Sequence, residues 1–364
     1  MRDGLDEARA LLPGVTLRDA KQLHASGRST VWRVRARWPD ADETTVIVKR
    51  FADADEWFIR EAAALATCSS HAPTAQLLLE SSAPPLVVMT DVGTGPSVAD
   101  ALRGSDPAAA AEAVRQWAAT IGRLHRTTMG HREQFRAALG QRSGELLLGE
   151  SRMSLAVDEA ARLLEQQCLQ LDVTVPPHAL QELRELPRRL SGDAAAISPD
   201  DACPEDNVWL GDRLMLVDFE GAQWRHVAWD VAYLTVPWPT CHCSWKMPSD
   251  VASRALESYR AELEHELPYV REPQFRADVA AAALGWSLIS TAWYLTSALS
   301  DDEHDATTPS RRALVLHRLD VARHVDEPAA AAELAARLRA ELVDRWGAVQ
   351  LGYAPAFDEG AREH

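Results

Sequence analysis

Positive charge is in short supply. Lys and Arg number 38 against 54 Asp and Glu, which leaves a formal net charge of −16 and a pI near 5.2. A surface of that sign repels a polyanion, so no nucleic-acid partner is expected. It suits small cationic molecules, although acidity of this kind chiefly confers solubility. An apolar opening segment is also missing. Met1-Arg2-Asp3-Gly4-Leu5-Asp6-Glu7 is acidic, which argues against a signal peptide. Cysteine is sparse and odd in number: Cys68, Cys168, Cys203, Cys241 and Cys243. A cytoplasmic protein with reduced thiols is the expectation. No internal repeat is visible, and the alanine runs at 108–111 and 329–332 read as helix. The uncharged stretch from Val279 to Leu299 is as long as a membrane span. It is mostly Ala, Ser and Thr, with Gly285 inside it, so a buried helix and no membrane partner are expected.

What is present suits one bilobal unit or two domains: 364 residues, 46% of them hydrophobic. The first part reads as strands around one helix. Candidate strands are Leu17–Ala25, Thr30–Ala36 and Thr44–Phe51, with Val31, Val34, Val46 and Val48 supplying β-branched residues. The breaks are Ser26-Gly27-Arg28-Ser29 and Pro39-Asp40-Ala41-Asp42. Asp53 or Asp55 is placed to cap a helix from Glu56 to Thr67. Two strands follow, Ala75–Glu80 and Pro85–Met89. After Asp91 the glycines Gly93 and Gly95 mark a linker, and Ala-rich helices take over. They are predicted near 98–103, 107–127, 130–147, 152–170, 176–191, 226–235, 249–266, 273–300, 309–325 and 328–346, with short strands and loops at 195–220. The expected fold class is α+β, with a small β-rich lobe over 1–91 and a larger, mostly helical lobe over 92–364.

The chemistry concentrates in Asp200-Asp201-Ala202-Cys203-Pro204-Glu205-Asp206-Asn207, a hairpin, and then Asp218-Phe219-Glu220. Two acidic clusters across a turn can hold Mg²⁺ on a nucleoside triphosphate while a separate carboxylate takes the proton of an incoming hydroxyl. The spacing of Asp201 and Asp206 suits a base at one end of a loop and a metal ligand at the other, with Asn207 competing for the ligand role. Asp218 ends the apolar strand 213–217. A surface loop would be the plain alternative, but an acidic loop, a hairpin and a buried strand ending in Asp favour a site. Lys49, on an apolar strand, needs an anionic partner unless it lies on an edge, and Glu61 on the next helix is a candidate. Ser26, Gly27 and Ser29 form a small-residue turn whose N–H groups could approach phosphates, or an ordinary hairpin. Met89 to Val92 crosses between the lobes.

At these residues the chain resembles the aminoglycoside phosphotransferase and choline kinase family, relatives of the protein kinases. The family's His-Gly-Asp-x-x-x-x-Asn loop is matched by Pro199 to Asp206, and its Asp-Phe-Gly or Asp-Phe-Glu motif by Asp218-Phe219-Glu220. The resemblance runs from about residue 17 to 235. It implies a protein-kinase-like bilobal fold and ATP and Mg²⁺ as cofactors. Asp201 would be the catalytic base, and Asp218 with Asp206 or Asn207 the metal ligands. Ser26, Gly27, Ser29, Lys49, Glu61, Thr90 and Val92 would bind the nucleotide. Asp230 matches the family's helix aspartate that braces the catalytic loop, and Leu124-His125 matches the Leu-His pair ending a family helix, a structural position. The chain departs from the pattern at Pro199 and Asp200, where the family has His and Gly, and at Asp206, with Asn207 one residue late. These departures keep a second reading open: a degenerate kinase that binds nucleotide without transfer. The partner implied is a small molecule carrying a hydroxyl, cationic molecules among the options.

Two further patterns have bland alternatives. Cys241-His242-Cys243 offers zinc-type ligands, but no second cysteine pair follows, and packing among Trp238 and Trp245 is the expectation. Of Trp224, Trp229, Trp238, Trp245, Trp286 and Trp293, most should be core, and one or two could wall an ammonium site.

Overall fold

A computed structural model describes residues 3–144, 146–241, 244–302 and 308–358. The chain opens with a helix the sequence reading did not anticipate, α1 (Asp3–Leu11). β1 (Thr16–Ala25), β2 (Ser29–Arg37) and β3 (Thr44–Phe51) follow, then α2 (Glu56–Thr67), β4 (Leu77–Ser82) and β5 (Pro85–Thr90). The five strands form one antiparallel sheet in the order β1-β2-β3-β5-β4. Asp55 caps α2, accepting from the Trp57 and Phe58 amides.

The two-residue period of β3 decides where its side chains go. Val46 and Val48 join Trp32, Val34, Leu86 and Val88 in a core of their own under α1, where Ala8 is buried. Arg50, on the same face, pairs with Glu7 of α1 at 2.7 Å. The alternate residues Ile47 and Lys49 turn to the opposite face and line the interlobe cavity, while Phe51 meets Phe58 of α2 edge-on. β3 is a central strand, so Lys49 does not lie on an exposed edge.

The larger lobe begins after the crossing at 91–97. It contains α3 (Val98–Arg103), α4 (Pro107–Thr128), α5 (Arg132–Ser143), α6 (Met153–Gln170) and α7 (Ala179–Arg189), then the short strands β6 (Ala195–Ser198), β7 (Asn207–Trp209), β8 (Leu214–Leu216) and β9 (Gln223–His226). After α8 (Ala228–Val231) come α9 (Ser249–Leu263), α10 (Pro273–Ser300), α11 (Arg311–Ala322) and α12 (Ala329–Trp346). Helix α5 is shorter than the predicted 130–147, ending at Gly144. Helix α10 is long and apolar enough to cross a membrane, and 72% of its apolar window is buried in the protein. The crossing lies very close to β7. A Cβ on Gly95 would sit 1.9 Å from the Trp209 carbonyl oxygen, so only glycine fits there.

The expectation of reduced thiols is corrected at one pair. Cys203 and Cys241 are joined by a disulfide, with their Cα atoms 5.6 Å apart. The fold lays the acidic loop beside the segment after α8, a proximity that 38 residues of separation conceal. Cys68 and Cys168 are free and buried. His242 and Cys243 lie outside the described residues, so of the Cys241-His242-Cys243 motif only Cys241 can be placed.

Candidate active site

The acidic loop is fixed before it does any chemistry. Trp117 Nε1 of α4 donates to the Ala202 carbonyl at 3.1 Å. The Ala99 amide of α3 donates to the Pro204 carbonyl at 2.8 Å. Below the loop, Asp230 is fully buried. It accepts from Ser198 Oγ at 2.8 Å and from Arg225 Nη2, and meets His125 Nε2 at 2.9 Å. Burial works against its charge, but Arg225 and His125 hold its carboxyl down at about 2. His125 Nδ1 in turn meets Tyr259 Oη at 2.9 Å. Asp230, expected as the brace, and His125, expected as a structural residue, therefore stand together under the loop.

Asn207, the chain's one asparagine, faces inward. Its Oδ1 accepts from the Val98 amide at 2.9 Å, and its Nδ2 donates to the Pro204 carbonyl at 2.9 Å. It is buried and ties the loop to α3. Asp206, one residue earlier, faces the interlobe cavities instead. Its carbonyl accepts from the Val217 amide at 3.0 Å, which sets the loop beside the residue preceding Asp218. Of the two ligand candidates, the structure offers the carboxylate to the cleft and closes the amide into the fold.

Across the cleft, Lys49 Nζ lies 2.6 Å from Glu61, 2.6 Å from Asp218 and 3.2 Å from Glu220. Burial alone would lower the ammonium's pKa, but the three carboxylates raise it, so it stays charged. Burial pushes Glu61 up to about 7, with Lys49 opposing. Only three lysines occur, Lys21, Lys49 and Lys246; a lysine among β-branched residues was thus a stronger sign than its spacing suggested.

Ser26, Ser29, Lys49, Glu61, Thr90, Val92, Asp206 and Asp218 all line one interlobe cavity of about 460 Å³. Gly27 is not among its lining residues, and a Cβ there would meet nothing within 4 Å. The Arg28 and Ser29 amides of this turn donate to Ser26 Oγ at 3.2 Å each. Thr90 holds the start of β4, its Oγ1 accepting from the Gln76 amide at 2.8 Å. Arg33 of β2, which the sequence did not single out, grips the crossing. It pairs with Asp91 at 2.6 Å and donates to the Gly93 carbonyl at 2.6 Å.

Asp201, Asp206 and Asp218 also line an adjoining cavity of about 480 Å³. Its walls include Trp286 and Trp293, whereas Trp229, Trp238 and Trp245 are buried in the core. Trp57, also in its lining, has two guanidinium groups over its ring, Arg28 at 4.8 Å and Arg152 at 4.4 Å. Asp200 occupies a left-handed backbone position, φ 77°. Its carboxylate accepts from Gln223 and, at 3.2 Å, from Arg225. A Cβ on Gly221 would lie 2.7 Å from an Asp200 carboxylate oxygen, so glycine after Asp218-Phe219-Glu220 makes room for this aspartate. Burial pushes the Asp201 carboxyl up to about 6, against the hydrogen bond from Thr240; Asp200 and Asp218 add to the rise.

The site carries surplus negative charge. Burial, then the charges of Asp218, Asp201 and Glu205, push Asp206 up to about 8. Hard oxygen donors crowded to this degree could hold a divalent cation such as Mg²⁺, and Asp206 and Asp218 both open onto the cleft. In metal-free protein, native Asp206 keeps a proton that the unfolded chain releases near pH 4. Stability should therefore fall as pH rises from about 4 to about 8. Asp206→Asn removes that cost. In chelator it is expected to be more stable than the wild type at pH 8 by at least about 1.4 kcal/mol, the worth of one pKa unit. The gap should close near pH 4. Urea unfolding at both pH values checks this, and an equal or less stable variant at pH 8 sinks the assignment.

No family model and no curated protein matches the chain by sequence. Solved structures do match. An ethanolamine kinase from Plasmodium vivax aligns over 87% of this chain and 85% of that chain, with TM-score 0.54 and 11% identity. Choline kinase from Cryptosporidium parvum aligns over 90% of this chain and 93% of that chain, with TM-score 0.50 and 9% identity.

Proposed function

From the protein-kinase-like fold that it shares with ethanolamine and choline kinases, we propose that this chain is a small-molecule kinase. It would transfer the γ-phosphoryl group of ATP to a hydroxyl. The observation that carries the reading is the meeting of the two lobes. Lys49 of the sheet is held by Glu61 and reaches Asp218 of the helical lobe, and Asp201 and Asp206 open onto the same space.

In this reading the 460 Å³ cavity takes the nucleotide, with Val92 and the crossing at its base end and Lys49 at its phosphate end. Asp206 and Asp218 would hold Mg²⁺, which would supply positive charge to offset that of the phosphates. The 480 Å³ cavity takes the acceptor, a size suited to a small ligand. Asp201 accepts the acceptor's hydroxyl proton. That O–H bond breaks as the carboxyl O–H forms, the freed electron pair goes to phosphorus, and the bond to the β-phosphate oxygen breaks to release ADP. Positioning and charge carry most of the rate. Arg28 and Arg152 beside Trp57 give the acceptor cavity positive as well as negative walls, so a purely cationic acceptor is not singled out.

The test is ADP release with Mg·ATP, first with water as acceptor and then across a panel of hydroxylated metabolites. Asp218→Asn is expected to weaken magnesium-dependent ATP binding about tenfold or more, the loss of one charged metal ligand, and to stop release. ATP binding unaffected by magnesium and by Asp218→Asn, with no ADP formed by the wild type, would leave the nucleotide-binding reading without transfer.

A further inference from the structure

Asp201 has a neighbour that the acidic loop's spacing does not reveal. After α8 the segment 236–241 runs back along the loop and is held against it at several points. Trp238 packs edge-on against Trp117 at 5.8 Å, and Trp117 itself holds the Ala202 carbonyl. The Pro239 carbonyl accepts from Arg318 Nη2 of α11 at 3.2 Å. Thr240 Oγ1 donates to Asp201 Oδ1 at 2.7 Å. The next residue, Cys241, is bonded to Cys203, two residues beyond Asp201. Thr240–Asp201 and Cys241–Cys203 are thus two rungs between the same two strands of chain.

The Thr240 hydroxyl has a second partner. Tyr233 Oη lies 3.0 Å from it and also donates to the Asp200 carbonyl at 2.9 Å. Three short contacts therefore join Asp201, Thr240, Tyr233 and the Asp200 carbonyl. Two hydroxyls supply only two protons. With Asp201 ionised, Thr240 donates to Asp201 and Tyr233 donates to the carbonyl, and the Thr240–Tyr233 contact carries no proton. With Asp201 protonated, all three are satisfied in one direction: Asp201 donates to Thr240, Thr240 to Tyr233, and Tyr233 to the carbonyl.

We propose that Thr240 is a positioning residue for the base, a hydroxyl relay that fixes the Asp201 carboxylate toward the acceptor and reverses its own hydrogen bond when the base receives a proton. The proposal rests on the reading of Asp201 as the base. In the ionised state the hydroxyl holds one carboxylate oxygen and leaves the other for the acceptor. When the acceptor's proton arrives on that free oxygen, a half-turn of the carboxyl about its Cβ–Cγ bond exchanges the two oxygens, the Thr240 O–H turns toward Tyr233, and the new carboxyl O–H donates to Thr240. The disulfide one residue on keeps the two segments in register for both states.

The experiment uses the full chain, with Mg·ATP hydrolysis as readout and Asp201→Asn setting the floor. Thr240→Val keeps the shape and removes the hydroxyl. It is expected to lower kcat about 10- to 100-fold, the scale of one hydrogen bond to a charged group, with KM for ATP and the melting midpoint unchanged. Thr240→Ser should recover kcat to within about threefold of wild type, since it restores the hydroxyl. Tyr233→Phe, which removes only the far end of the relay, should lower kcat by a smaller factor of about three to ten. Wild-type kcat in Thr240→Val, or a Ser variant as slow as the Val variant, overturns the relay while Asp201→Asn remains inactive. Wild-type hydrolysis by Asp201→Asn, or none by the wild type, overturns the base assignment itself and the relay with it.

Discussion

Asp201→Asn is expected to lower ADP release by about 10²- to 10⁴-fold, the range that a positioned base contributes. The affinity for Mg·ATP should stay within about threefold, because the interaction removed is one made in the transition state. The variant preserves size and the contact with Thr240 but cannot take a proton. The wild type carries a second signature of the same group. Its carboxyl is pushed up to about 6, and a base works only when ionised. Turnover should therefore rise with pH through about 6 and flatten above it. Residual activity of Asp201→Asn should lack this limb. Rates compared from pH 5 to 8 decide the matter: a limb that survives in the variant belongs to another group.

Lys49→Met carries the largest expected change in stability. The ammonium is buried with Glu61, and Asp218 and Glu220 complete its surroundings. Removing one partner of a buried pair costs about 3–5 kcal/mol, because the remaining charge stays out of water. Glu61 already stands at about 7 with the lysine present, and without it the carboxyl rises further. At neutral pH Glu61 must then hold a proton that the unfolded chain has released, so the variant should be least stable at and above pH 7. Its deficit should shrink toward pH 5. Lys49→Met/Glu61→Gln removes both charges and should regain much of the loss, a coupling that a double-mutant cycle measures. Equal deficits in the single and double variants would show that the pair is not what Lys49 stabilises.

Much of this was legible in the sequence, for local reasons. β3 shows because Val46 and Val48 alternate with Ile47 and Lys49, and the same alternation aims Lys49 into the cleft. Helix α2 shows because Asp55 precedes an apolar-periodic run, and it caps as expected. The acidic loop and Asp218 show because carboxylates are costly at the end of an apolar strand. The features that did not show are contacts between distant residues. Arg33 meets Asp91 across 58 positions and Thr240 meets Asp201 across 39. The disulfide depends on the loop and the segment after α8 running side by side. The choice between Asp206 and Asn207 turned on which side chain faces the cleft, a matter set by how β7 packs on α3. Helix α1 is nine residues long and acidic, and it is held by Arg50 and the outer face of the sheet rather than by any strong propensity of its own.

The crossing between the lobes is gripped from both ends. Up to Gly93 the backbone belongs to the sheet, because Arg33 clasps the Asp91 side chain and the Gly93 carbonyl. From Gly95 onward it belongs to the helices. Residue 95 is pressed against Trp209, and the Pro96 carbonyl accepts from the Trp209 amide at 2.9 Å. One exposed residue, Thr94, is left between the two clamps. Within the crossing, rotation of the sheet over the helices is therefore expected at the bonds flanking Thr94, while the Leu216 amide on the Pro73 carbonyl and Arg60 on the Ala222 carbonyl tie the two lobes at a second place.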